Sequence, residues 1–222
     1  MAQTDVVTLL ESIAEQCREC PRPTLVRNYI DVCRDFCERT RWLTKTVTGI
    51  ATAVDQVSYT ITADTYNDLF GVFSIDLLES ATKTRQLVEQ ASEFWDPDAA
   101  SDIPERWEYV MTGQFKLNPP PAAAYDLVVE AFMRPKKDST SIDSRLADEC
   151  DQAIEYGVLA RVKAIVGMPW SDPRGADMNG RMYESNVGTY SALADRKHNA
   201  GSRVSTVGGA PNTRTRSRVL KI

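Results

Sequence analysis

The sequence holds a single histidine, His198, near its C-terminal stretch. Ser-His and Cys-His nucleophilic systems would have to rest on that one imidazole, so the ordinary means of activating a hydroxyl or thiol is lacking. Also missing are the phosphate loop G-x-x-x-x-G-K-[ST], the dinucleotide fingerprint G-x-G-x-x-G and the zinc-hydrolase pair H-E-x-x-H. Nucleotide, dinucleotide and metallohydrolase chemistry therefore lack their mechanical parts. Acidic pairs such as Asp148 with Glu149, or Asp64 with Asp68, read as solvated surface rather than as a glycosidase or metal site. No apolar run approaches the roughly 20 residues that cross a bilayer. The start, Met-Ala-Gln-Thr-Asp, has neither the basic nor the apolar region of a signal peptide. These absences predict a soluble, non-enzymatic chain that stays inside a cell, with no cofactor, no catalytic or metal-binding residues and no membrane partner.

What is present begins with size. A chain of 222 residues, 42 % of them hydrophobic, fits one domain or one compact domain carrying an insertion. Its five cysteines are odd in number and predict free thiols. Cys17, Cys20, Cys33 and Cys37 read C-x2-C-x12-C-x3-C, which superficially resembles a zinc site. Helical periodicity argues for the core instead. Val26, Tyr29, Ile30, Cys33, Phe36 and Cys37 recur at three-and-four spacing, and Cys17 continues the stripe of Val6, Leu9, Leu10 and Ile13.

Charge is unevenly spread. After Gly201 come Arg203, Arg214, Arg216, Arg218 and Lys221 with no acidic residue; against a whole-chain charge of −5, that leaves −10 on the body. An acidic body repels nucleic acid, whereas a basic arm seeks acidic protein surface, phosphate or RNA. The arm, residues 199–222, is rich in Ser, Thr, Gly, Asn and Pro and has no periodicity, so it is expected to be flexible and to order on a partner. Its terminal Val219, Leu220, Lys221 and Ile222 could add a strand or an apolar anchor to a neighbour.

The pattern before the arm predicts helices at both ends and strands between. One amphipathic helix is expected over about Thr4–Glu19, with Thr4 or Asp5 as its cap, and Pro21 and Pro23 break it. A second runs over about Thr24–Arg41 and pairs antiparallel with the first across residues 1–44. Residues 45–135 form a small antiparallel β module. Val57, Tyr59 and Ile61 alternate, Gly113 separates Trp107–Val110 from Gln114–Leu117, the latter one arm of a hairpin or meander, Asn118-Pro119-Pro120-Pro121 is a loop, and Asp126–Met133 is a strand. A short helix over Arg85–Phe94 ends at Asp96-Pro97-Asp98. Residues 136–198 complete the bundle with a helix over about Ile142–Gly167, whose Gly157 and alanines permit close approach, and another from the Asp172-Pro173 start signal to about Lys197. Trp42, Trp95, Trp107 and Trp170 follow or interrupt these elements, as packing residues do. The fold class so predicted is α+β: a bundle of about four helices with an inserted small antiparallel β module and an extended C-terminal arm.

Several phrases carry a resemblance. They are Arg34-Asp35-Phe36-Cys37-Glu38-Arg39-Thr40-Arg41-Trp42, the strand Val57–Ile61, the segment Gln114–Pro121, the strand end Arg134-Pro135, and Gln152–Arg161 ahead of Met168-Pro169-Trp170. In this order they resemble head-to-tail adaptor proteins of tailed bacteriophages, the group that includes podophage tail tubular protein A, over residues 4 to 197. The resemblance implies a structural virion protein of the neck or tail, assembled in the host cytoplasm. It implies a ring, commonly of twelve subunits, between the portal protein and the tail nozzle or tube, through which DNA passes without specific binding. The portal contact is expected on the arm, at Arg203, Arg214, Arg216, Arg218, Val219, Leu220, Lys221 and Ile222. The rival reading is a nucleic-acid-binding module acting through the same arm.

Overall fold

The computed structural model describes residues 2–80, 82–91, 96, 98–111 and 113–201, with side chains as far as His198. In chain order the elements are β1 (Gln3–Asp5), α1 (Val6–Leu9), α2 (Glu11–Gln16), α3 (Arg22–Thr40), β2 (Thr44–Ala51), β3 (Ser58–Thr60) and β4 (Asn67–Ser80). They continue through β5 (Lys83–Gln86), β6 (Val88–Glu89), β7 (Arg106–Met111), β8 (Gln114–Asn118), β9 (Asp126–Pro135), β10 (Ser141–Asp143), α4 (Ser144–Lys163) and α5 (Pro173–Gly201).

The strands make three sheets, which overturns the expected four-helix bundle with a small β insert. β1 pairs with β10; β2-β9-β4-β5 form a second sheet and β3-β8-β7-β6 a third, all antiparallel except β6 beside β7. Ten strands and five helices among the described residues make this a sheet-rich fold with a helical layer. The expected first helix is broken. Gln3–Asp5 is drawn into pairing with Ser141–Asp143, and the β-branched Val6-Val7-Thr8 run supports only one short turn before the chain restarts at Glu11. The helix expected over Arg85–Phe94 is also replaced. Lys83–Gln86 hydrogen-bonds to β4 and Val88–Glu89 runs parallel to β7, while Ser92–Trp95 lies outside the described residues.

Elsewhere local chemistry acts as the residues demand. Asp5 caps α1 by accepting from the Val7 amide at 2.9 Å, and Asp143 caps α4 through the Arg145 amide at 3.0 Å. α3 closes on Arg41 in the left-handed region, its amide bonded to the Cys37 carbonyl at 2.8 Å. Asp172 starts α5, accepting the Gly175 amide at 2.9 Å. The hairpin about Gly113 forms, with φ at 72°, and the Asn118–Pro119 peptide is cis.

One continuous core joins helices and sheets. β9, the inner strand of the second sheet, buries Leu127, Val129, Ala131 and Met133 completely, in one cluster with Trp107, Phe115 and Leu117 of the third sheet and with Phe36, Cys37, Leu146 and Val158 of the helices. Cys17, Cys33, Cys37 and Cys150 are buried free thiols of this core, as helical spacing predicts. Burial pushes all four up, Cys150 to about 12, which keeps them as protonated, unreactive thiols. Cys20 is half-buried beside the Pro21 carbonyl.

Candidate assembly surface

The residues singled out for partner contact, Arg203, Arg214, Arg216, Arg218, Val219, Leu220, Lys221 and Ile222, lie outside the described residues. The structure does describe the ground from which the arm departs, because α5 runs to Gly201.

α5 is clamped along its length. Tyr183 donates to Asp35 at 2.7 Å, and Arg39 grips the Glu184 carboxylate with both terminal guanidinium nitrogens, the Nη1 contact at 2.8 Å. Both partners of that fork are substantially exposed, so its worth is geometric register more than energy. Nearer its end Tyr190 sits edge-on to Phe36 and Trp42, at 5.4 and 5.2 Å between ring centres, and donates to the Glu149 carbonyl. Trp42 in turn donates to the Glu149 side chain at 3.1 Å and carries Lys197 over its face at 5.4 Å.

The last described side chain, His198, crosses from the helices to the second sheet. Its ring lies 4.8 Å from Phe73 and 5.5 Å from Phe132, and its Nε2 is 3.2 Å from the Arg41 carbonyl. The seat is prepared by irregularity in β4. Pairing with β9 slips at Leu69/Gly71 and again at Val72/Ser74, leaving Phe70 and Phe73 as the extra residues of two bulges. Phe70 stacks on Phe132 at 5.9 Å, and Phe73 lies tilted against it at 5.7 Å. Gly71 leaves the room: a Cβ there would lie 3.2 Å from the Phe132 ring. Arg41 covers Phe132 at 5.5 Å, Arg134 covers Phe70 at 5.9 Å and pairs with Glu38, and Arg34 bridges α3 to Asp68 at 3.2 Å. Thus α3 and the end of α5 cover one half of this sheet face.

The other half holds half-buried side chains and the buried Ser74. Along β9 from Phe132, Glu130 and Val128 follow on the same face, with Ser74, Asp76 and Leu78 beside them on β4. Ser74 donates to Glu130 at 3.5 Å, and burial followed by the Glu130 charge pushes the Asp76 carboxyl up. Neither Asp76 nor Glu130 has a cation partner among the described residues. None of these residues was marked by sequence reasoning. The one available signal was the Phe70-Gly71-Val72-Phe73 phrase, whose aromatic residues break a two-residue alternation.

Exposed apolar side chains gather elsewhere, at Val166 and Met168 of the α4–α5 connection and at Met178, Met182 and Leu193 of α5. A groove of about 380 Å³ opens between α3 and the turn before β10, floored by Pro23, Val26 and Ile30 under Arg22, Arg27 and Lys137. Another, of about 550 Å³, borders β6 at Val88, Glu89, Glu105 and Arg106. The displaced carboxylates Asp64, Asp76, Glu79 and Glu184 lie outside both grooves. Among the described residues no cluster of His, Cys, Asp or Glu is arranged to hold a metal ion, and no helix is long and apolar enough to cross a membrane.

The geometry described is that of a helix anchored on a sheet face and of two surface grooves. A comparison with curated proteins found no match. The profile of the family described as SU10 adaptor protein matches residues 4–212, nearly the whole chain, reaching through α5 past Arg203 and stopping before Arg214. The chain therefore belongs to the SU10 adaptor protein family, and is a structural adaptor of a bacteriophage virion.

Proposed function

We propose that this adaptor closes into a ring, of twelve subunits, between the portal protein and the tail nozzle or tube, leaving a channel for the DNA that leaves the head. The family match over residues 4–212 carries this reading. A heterologous interface, repeated by rotation, closes such a ring. The body's charge of −10 supports a lumen to which DNA does not adhere, since long-range repulsion keeps phosphate off an acidic wall. Assembly takes place in the host cytoplasm.

The basic arm is the portal-binding element in this reading. Arg203, Arg214, Arg216, Arg218 and Lys221 supply charge for an acidic surface, and Val219, Leu220 and Ile222 supply an apolar end. An arm that orders on its partner ties docking to assembly. Deleting residues 201 to 222 is expected to abolish portal docking, measured by co-sedimentation with portal rings, while circular dichroism still shows a folded subunit. Undiminished docking by the shortened chain refutes the assignment. If the arm instead binds DNA, with an affinity that falls steeply as salt rises, the nucleic-acid reading replaces it.

A further inference from the structure

We propose that the groove between α3 and the turn before β10 docks an acidic peptide segment of another virion protein. Apolar side chains of that segment settle on Pro23, Val26 and Ile30, while its carboxylates meet Arg22, Arg27 and Lys137. The inference rests on the reading of this chain as an adaptor, and it gives the folded body a partner contact separate from the arm.

Charge, shape and rigidity carry it. The chain as a whole is acidic, yet the rim of this groove is cationic. Along α3 the later arginines are answered from within the fold, Arg34 by Asp68 and Arg39 by Glu184. Arg22, Arg27 and Lys137 are exposed and make no ion pair among the described residues. Asp138, the one carboxylate among the lining residues, leaves the positive sign in excess. Such a rim selects carboxylates, and the apolar floor supplies the area to bury. Val26 lies three residues from Pro23 and four from Ile30, so the three form one stripe of the helix. The volume of about 380 Å³ falls within the roughly 300–1,000 Å³ of ordinary binding clefts. The wall facing α3 is set in place. Lys136 donates its amide to the Tyr66 carbonyl at 2.9 Å, and Ser139 donates its amide to the Lys136 carbonyl at 3.1 Å and its hydroxyl to the Ser141 carbonyl at 2.6 Å. The Val6 amide holds the Thr140 carbonyl at 3.0 Å. A wall so fixed costs little further ordering when a partner binds. Nucleic acid fits the groove less well, because no aromatic side chain lines it for a base to stack on. A second copy presenting the same groove would set like charges face to face.

The test uses the full chain and a pool of random short peptides presented by mRNA display. The pool is first cleared on the Arg22→Glu/Arg27→Glu chain, which removes peptides held by the basic arm or elsewhere, and is then selected on the unsubstituted chain. Both substituted positions are exposed and glutamate is favourable near a helix N-terminus, so this chain is expected to stay folded, as circular dichroism checks. Surviving peptides are expected to combine Asp or Glu with Leu, Ile, Val or Phe. A synthesised survivor is expected to bind about fivefold more weakly to Lys137→Glu, a substitution on the opposite wall that the clearing step did not use. Half-molar salt is expected to weaken it by a similar factor on the unsubstituted chain. No survivors, survivors without carboxylates or without apolar residues, or survivors indifferent to Lys137→Glu overturn the proposal. So does a deoxythymidine oligonucleotide whose binding Arg22→Glu/Arg27→Glu abolishes, because the occupant is then nucleic acid. Self-association over a hundredfold rise in protein concentration, abolished by the same pair, overturns it too, because the occupant is then a second copy. Portal is absent throughout, so failure here and failure of portal docking by the shortened chain are told apart.

Discussion

Gly157 is the residue at which three helices meet. A methyl group placed there would fall 2.6 Å from Val32 Cγ1 of α3 and 2.9 Å from the Tyr183 ring of α5, both far inside van der Waals contact. Gly157→Ala gains helix propensity within α4 but must push α3 or α5 away, and overpacking outweighs the gain. A net loss of about 1–2 kcal/mol is expected in urea unfolding, whereas Gly188→Ala in α5, with nothing within 4 Å, should be neutral or stabilising. Asp64 offers a test by pH. Burial works against its charge, yet hydrogen bonds from the Asn67 side chain and amide and from the Tyr66 amide, with Lys45 nearby, hold its carboxyl below the ordinary 3.8. A carboxyl depressed on folding stabilises the native state above the unfolded-state value, and that contribution disappears as pH falls through the folded-state value. The melting temperature of Asp64→Ala should therefore lie below that of the unsubstituted chain at pH 6, and the gap should close as pH drops below about 3.8. A gap constant down to pH 2.5 would show that the turn, not the charge, is what matters.

Among elements, the long helices α3, α4 and α5 and the strand β9 were legible, whereas β4 and the short strands were not, for a physical reason. α3, α4 and α5 each bury one stripe of a 3.6-residue period, so Tyr29-Cys33-Phe36 and Ile154-Val158-Val162 announce themselves. Their boundaries follow from cap chemistry at Asp143 and Asp172. β4 hides because its two bulges insert Phe70 and Phe73, each shifting the side-chain alternation by one place. Asn67-Asp68-Leu69-Phe70-Gly71-Val72-Phe73-Ser74-Ile75-Asp76 then shows no clean two-residue period, although every residue of it is in a strand. β1 and β10 hide differently. Three residues each are too few for any period, and only the pairing of Gln3 with Asp143 and Asp5 with Ser141 makes them strands. The sheet face beneath α5's end was accordingly invisible, since its residues come from strands whose register depends on partners far away in sequence. That face also predicts how α5 is held. Phe132→Ala removes the ring on which Phe70, Phe73, Arg41 and His198 converge, so amide hydrogen exchange in the last turns of α5 should accelerate at least tenfold while the first turns, fixed by Asp172, keep their protection. Uniform acceleration along α5 would mean that Phe132 serves only global stability.

At the scale of the whole molecule, the separation of charge and the distribution of apolar surface bear on how copies come together. The matched family region takes in the body, α5 and the chain as far as residue 212, and the distal basic residues from Arg214 onward stand beyond it. Exposed Met178, Met182 and Leu193 lie on one side of α5 with the polar Ser185, Asn186 and Thr189 between them, an interrupted stripe rather than a broad apolar face. A body of charge −10 also repels its own copies at moderate ionic strength. Both considerations favour a subunit that stays single until a partner aligns it, and the proposed ring would then close on a template that supplies what subunit contacts alone do not. Light-scattering mass measurement on the purified chain is accordingly expected to give the 24.8 kDa monomer over a wide concentration range. Added portal rings should then convert it to one discrete larger species, without intermediates, because each seated subunit presents the next with both the portal surface and a neighbour. The stoichiometry of that species tests the proposed twelve directly. A chain that forms closed rings alone at micromolar concentration would place the driving force in the subunit contacts and remove the need for a template.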